Sequence, residues 1–165
     1  MNVVSDASPL IILAKIGWLD LLSKIYSHLY ISAEVYAEVV VAGTGLPGAV
    51  EVAKAEWIEV KPLQQFRNLA AAQARFGLGL GELSTILLAK ELGAALVLMD
   101  EESGRWLARE EGLEVRGTVG IVERLYQRKE IPDLREAFQT LLAHQAHLGR
   151  DLLNRRLELF GLPPL

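Results

Sequence analysis

The sequence predicts an α/β protein built on a mainly parallel sheet, and three observations carry that expectation. Short apolar segments alternate with longer helical ones along the whole chain. One of them, Ala95-Leu96-Val97-Leu98-Met99, is apolar throughout, as a central strand covered on both faces must be. Two of them, Val3-Val4-Ser5-Asp6 and Leu98-Met99-Asp100, run straight into an aspartate. In a parallel sheet both strand ends lie along the same edge, which is the edge where open α/β sheets bind ligands.

Taken in order, Val3 and Val4 form the opening strand, and Ser8 with Pro9 starts a helix, because Ser caps well and Pro fits a first turn. Two short helices follow, Pro9 to Ile16 and Trp18 to Ile25, broken at Gly17. Leu29-Tyr30-Ile31 reads as a second strand, and Ser32 caps a helix to about Ala42 that turns Val35 and Val39 inward and sets Glu34 and Glu38 four apart on one side. Gly43-Thr44-Gly45-Leu46-Pro47-Gly48 matches GxGxxG, but it follows a helix and contains Pro47, which excludes a dinucleotide site. A helix over Ala49 to Ala55 precedes an edge strand, Trp57-Ile58-Glu59-Val60, closed by Pro62. Gln64 to Arg75 is helical by its alanine content, Gly77 to Gly81 is a flexible connection, and Glu82 opens an apolar helix that Gly93 stops after Leu92. Beyond Asp100, Ser103 caps a helix to Glu111, Leu113-Glu114-Val115 is a short strand, and Thr118 starts a helix to Lys129. Ile131-Pro132 breaks it before two last helices, Asp133 to Leu148 and Asp151 to Phe160.

At 165 residues the chain suits a single domain, 1–165, with 133–165 as a helical C-terminal extension. Although 51% of the residues are apolar, no run reaches the roughly 20 needed to span a bilayer, so a soluble cytoplasmic protein is expected. The absence of cysteine excludes disulfides, thiolate metal sites and cysteine nucleophiles. A net charge of −4 argues against passive nucleic-acid binding, which relies on phosphate neutralisation by basic residues. Any nucleic-acid role must then use local basic patches or bound cations.

A lone strand-end Asp6 reads first as a turn residue bonding nearby amides. Paired with Asp100 on one edge it becomes a site candidate, and Glu82 and Glu38 are able to reach the same edge. Several carboxylates in one cleft cannot all stay ionised without a cation, and oxygen-only ligation suits a hard ion, Mg2+ or Mn2+. On its own helix Glu38 has Glu34 as a rival. Glu101 and Glu102 are able to supplement the site or to be a solvated acidic helix start. Arg105 reads either as a phosphate contact or as a solvated arginine. His144 and His147 read as surface residues, and Arg124, Arg128, Lys129, Arg155 and Arg156 as solvated faces able to guide RNA.

The stretch Asp6-Ala7-Ser8-Pro9-Leu10-Ile11, Val35-Tyr36-Ala37-Glu38-Val39, Gly81-Glu82 and Leu98-Met99-Asp100-Glu101, continued by Gly104-Arg105, Gly112-Leu113 and Arg116-Gly117-Thr118, resembles the PIN domain. The resemblance implies a three-layer α/β/α fold and a metal-dependent endoribonuclease, often the toxin of a toxin–antitoxin pair. It assigns the acidic cluster to Asp6, Glu38, Glu82 and Asp100, with Asp6, Glu82 and Asp100 as Mg2+ or Mn2+ ligands, and it implies an RNA substrate, an antitoxin partner and a homodimer. Two departures stand out. Glu82 replaces an aspartate of many members, and Met99 a threonine or serine. A PIN-fold binding or regulatory module with a degenerate cleft is the alternative. Aspartyl-phosphate chemistry is disfavoured, because Asp6 is followed by Ala7-Ser8 with no second aspartate two residues on.

Overall fold

The strand order β3-β2-β1-β4-β5 explains why the opening segment sits at the centre of the protein. A computed structural model describes residues 1–65, 68–145 and 148–165. Its five strands, β1 (Val3–Ser5), β2 (Leu29–Ser32), β3 (Ile58–Lys61), β4 (Leu96–Leu98) and β5 (Glu114–Arg116), pair entirely in parallel. The chain winds outward from β1 to β3, crosses back to β4 beside β1, and ends the sheet at β5. The direction of winding therefore reverses between β1 and β4, and such a switch point leaves a crevice at the carboxyl ends of those two strands. In-register pairing of Val4 with Val97 and Ser5 with Leu98 brings both ends level. The Asp6 amide extends the ladder by donating to Leu98 O at 2.9 Å.

Strand alternation divides the core into the two halves of an α/β/α sandwich. Val3, Leu29, Ile31, Leu96 and Leu98 face one set of helices. These include α1 (Ala7–Lys15), α2 (Leu19–Ile25), α8 (Thr118–Gln127), α9 (Leu134–His144) and α10 (Arg150–Leu159). Val4, Val97 and Met99 face the other way, against α6 (Leu80–Leu92) and α7 (Glu102–Glu110), with α5 (Leu69–Phe76) beside them. The remaining helices are α3 (Ala33–Tyr36), which continues as a π-helical turn over Ala37–Val41, and α4 (Ala49–Lys54). The GxGxxG look-alike joins that π-helical turn to α4, so no strand feeds it.

Several element starts differ from expectation, each for a local reason. Helix α1 begins at Ala7 with Asp6 in the capping position, so Ser8 lies inside the first turn and does not cap. Helix α6 begins at Leu80, two residues before Glu82, because the Glu82 carboxylate accepts the Gly79 amide at 3.0 Å and so caps its own helix from the third position. Helix α7 begins at Glu102, ahead of Ser103. Helix α5 starts only after Asn68, whose side chain accepts the Ala71 amide at 3.0 Å. The expected start at Gln64 included residues 66–67, which lie outside the described residues. Helix α8 stops at Gln127, and Lys129 adopts φ 61°. Helix α9 ends at His144, short of Leu148. His147 lies outside the described residues.

The last two helices are built into the core. Phe138, Leu141, Leu153 and Leu157 are fully buried, whereas Leu152 of α10 is 40% exposed. Arg156 of α10 is no free solvated arginine. It grips the buried Glu123 of α8 through two hydrogen bonds, Nε to Oε1 at 2.5 Å and Nη2 to Oε2 at 2.6 Å, a planar fork-to-carboxylate pairing. Removing the arginine alone strands a buried carboxylate. Arg156→Met should therefore cost about 2 kcal/mol in urea unfolding, below the 3–5 kcal/mol typical of a fully buried pair because the arginine is partly exposed. Replacing both partners, Glu123→Leu with Arg156→Met, should recover most of that loss.

Candidate active site

Asp6 is 97% withdrawn from solvent, at 3% relative exposure, although nothing cationic pairs with it among the described residues. It stands at the mouth of the switch-point crevice, in a cleft of about 310 Å³ lined by Asp6, Ser8, Glu38, Gly81, Glu82, Glu101 and Ser103, among others. Burial pushes the Asp6 carboxyl up to about 7. The neighbouring Ala7 amide pulls it down, and the charges of Glu82, Glu38 and Asp100 raise it further. Glu38 is also raised, first by partial burial and then by Glu82.

Each carboxylate is positioned by a local device. Asp6 is fixed by the β1–β4 ladder. Glu38 lies on the π-helical turn closed by the Ala42 amide on Ala37 O at 2.8 Å. That wider turn breaks the strict alignment of Glu34 with Glu38, and Glu38 is the one that lines the cleft. The two glutamate-bearing helices are then bolted together. The Ser32 hydroxyl accepts the Val35 amide at 3.0 Å and meets Ser84 Oγ at 2.7 Å, while Ser84 donates to Gly81 O at 3.0 Å. With Ser84 committed as donor to Gly81, Ser32 donates to Ser84, and every group in this buried chain is satisfied.

Gly81 shows how closely the acids converge. A Cβ at this position would lie 3.1 Å from Glu38 Oε2 and 3.2 Å from Asp6 Oδ1, so the missing side chain leaves the space that both oxygens face. Glu82 contributes with one oxygen engaged, Oε2 on the Gly79 amide. Asp100 is within charge range of Asp6 but does not line this cleft. Its Oδ1 accepts the Thr118 amide and its Oδ2 the Thr118 hydroxyl, both at 2.7 Å, on the side of a second groove of about 490 Å³. Arg105 lines that second groove as well. Its Nη1 donates to Met99 O at 3.0 Å, bracing the strand end. Of the two acids that sequence reading left open beside Asp100, Glu101 faces the cleft and Glu102 the groove. Ser8 and Ser103, expected as caps, line the cleft, and no signal in their local sequence marked them for it. Met99 is completely buried, its Sδ filling the space above Gly104, where Glu82 Oε1 also comes close.

The donor set suits a hard cation in kind: oxygen atoms only, crowded, partly buried and, among the described residues, lacking a counter-charge. Among the described residues no three acidic or histidine side chains already stand in ligating geometry, so binding requires side-chain rotation.

Comparison with known protein families gives a match over residues 2–162 to a family model described as a PIN domain. No curated protein matches the chain.

Two outcomes follow from this geometry. In metal-free protein the folded state holds a proton on Asp6 up to about pH 7, whereas the unfolded chain releases it near 3.8, so stability should fall as pH rises between these values and level off above. The full loss is on the order of 4 kcal/mol at most, and Asp6→Asn should flatten the slope and raise the melting temperature at neutral pH. Gly81→Ala should keep or raise thermal stability, through the helix preference of alanine, while weakening Mn2+ binding measured by calorimetry, because its methyl displaces Glu38 and Asp6.

Proposed function

The chain belongs to the PIN-domain family, a family generally of nucleases that usually employ divalent metals, and on that premise we propose that it is an endoribonuclease hydrolysing RNA phosphodiester bonds with Mg2+ or Mn2+. The observation that carries this reading is the convergence of Asp6 and Glu38 on Gly81, with Glu82 lining the same cleft and Asp100 within charge range. Asp6, Glu82 and Asp100 would hold the cation and Glu38 would complete the acidic set. When bound, the cation offsets phosphate charge, lowers the pKa of a water to give the nucleophile and stabilises the leaving oxygen. The chain's own residues do the rest. The carboxylates orient and hold the donor atoms, the buried floor of the cleft keeps bulk water from Asp6, and no side-chain nucleophile is required. Negative protein charge is compatible with an RNA substrate, because the metal meets the scissile phosphate. Arg105 is the proposed phosphate contact, released from Met99 O as substrate arrives. The toxin role, with an antitoxin and a homodimeric state, is carried in the same proposal.

A second reading is a binding or regulatory module, favoured by the lack, among the described residues, of three acidic or histidine side chains in ligating geometry. Purified protein incubated with single-stranded RNA separates the two. Cleavage that requires Mn2+ or Mg2+, stops with chelator and falls at least about 100-fold in Asp6→Asn and in Asp100→Asn is the expected result. Wild-type protein that binds RNA or a partner tightly without metal-dependent turnover would support the second reading instead. For the toxin role, induced wild-type chain should arrest growth and induced Asp6→Asn should not.

A further inference from the structure

We infer that Thr118 is the residue that positions Asp100 for cation binding, holding its carboxylate from the β5–α8 junction. The inference rests on the metal-dependent reading above. Met99 precedes Asp100, is completely buried and packs its sulfur over Gly104, and among the described residues the hydrogen bonds to the Asp100 carboxylate come from Thr118. Thr118 reaches it from another element. Its amide donates to Oδ1 and its hydroxyl to Oδ2, both at 2.7 Å, which blocks rotation of the carboxylate about Cβ–Cγ. Each oxygen takes one hydrogen bond and keeps a further lone pair, so the grip orients the group without using up its capacity to ligate.

A second, independent feature is cut to the same contact. Gly117, immediately before Thr118, has no room for a side chain: a Cβ there would lie 3.0 Å from Asp100 Oδ1 and 2.6 Å from Arg105 Nη1. The glycine lets the start of α8 approach Asp100 closely enough for the amide of Thr118 to reach it, and that start turns the positive end of the helix dipole to the carboxylate. Thr118 is itself 1% exposed, so its hydroxyl has no competing water, and Arg105 pins Met99 O while the Met99 amide donates to Arg116 O at 3.0 Å. The strand end that carries Asp100 is held on its main chain, and Thr118 holds the carboxylate.

Thr118 acts through Asp100, so its test needs a readout that helix capping alone does not move. Mn2+ affinity by calorimetry and melting temperature without metal are measured for wild type, Thr118→Val, Thr118→Ser, Asp100→Asn and the Thr118→Val/Asp100→Asn pair. Thr118→Val keeps the amide contact and the side-chain shape but loses the hydroxyl. It should weaken Mn2+ binding about 10- to 100-fold, the range for a residue supporting a ligand, while Thr118→Ser restores affinity to within a few-fold. In the Asp100→Asn background Thr118→Val should cause no further loss. Unchanged Mn2+ affinity in Thr118→Val with a lowered melting temperature would overturn the inference and leave Thr118 a structural cap. Wild-type protein that binds no Mn2+ would overturn the metal-dependent reading itself, and this inference with it.

Discussion

Burying a carboxylate at the end of a central parallel strand, with three more nearby and, among the described residues, no base to pair with it, is the constraint around which this protein is arranged. A charge in such a place is costly unless it is neutralised by a proton or a cation, and the elevated proton affinity of Asp6 is the direct expression of that cost. The same imbalance is what the proposed hard cation would relieve. Proton and cation compete for one group, so affinity for the metal is expected to grow as the proton is lost. A protein selected only for stability would carry a neutral residue at position 6.

The fold meets that cost by spending ordered hydrogen bonds around the acids. The Ser32–Ser84 pair ties the two helices that carry Glu38 and Glu82, and Glu82 caps its own helix. Thr118 and Gly117 seat Asp100 against α8. None of these bonds joins one acid to another. They hold mutually repelling groups from the outside, each through a neutral or dipolar donor, and leave between them the space that the proposed cation would fill. The ion pair of Glu123 with Arg156 lies one layer further out, where it fastens α10 onto α8 and so supports the helix whose first turn grips Asp100.

Much of the fold was legible because its signals are local. Apolar runs, glycine stops and serine or asparagine caps reveal strands and helices within a few residues, and the alternation of the two kinds of element dictates a parallel sheet. The membership of Asp6 and Asp100 on one edge was legible for the same reason, since both follow strands that must point the same way. The errors were local too. Ser8 and Ser103 look like caps in sequence, but α1 and α7 start one or two residues earlier, and the two hydroxyl-bearing residues are carried into the cleft wall.

Sequence alone determined the α/β class, the parallel edge with its two aspartates and the pool of glutamates able to join them, because periodicity and strand direction are properties of short stretches. Only the tertiary structure decided which acids share a cavity. It drew Glu38 rather than Glu34 to the cleft through a π-helical turn, placed Glu101 on one side and Glu102 on the other, and set Arg105 against a backbone carbonyl. It also turned Asp100 onto Thr118, a contact between residues 18 apart, and paired Arg156 with Glu123, 33 apart. Such partnerships depend on where the sheet brings separate elements together, and no local pattern encodes the distance between two side chains on different helices.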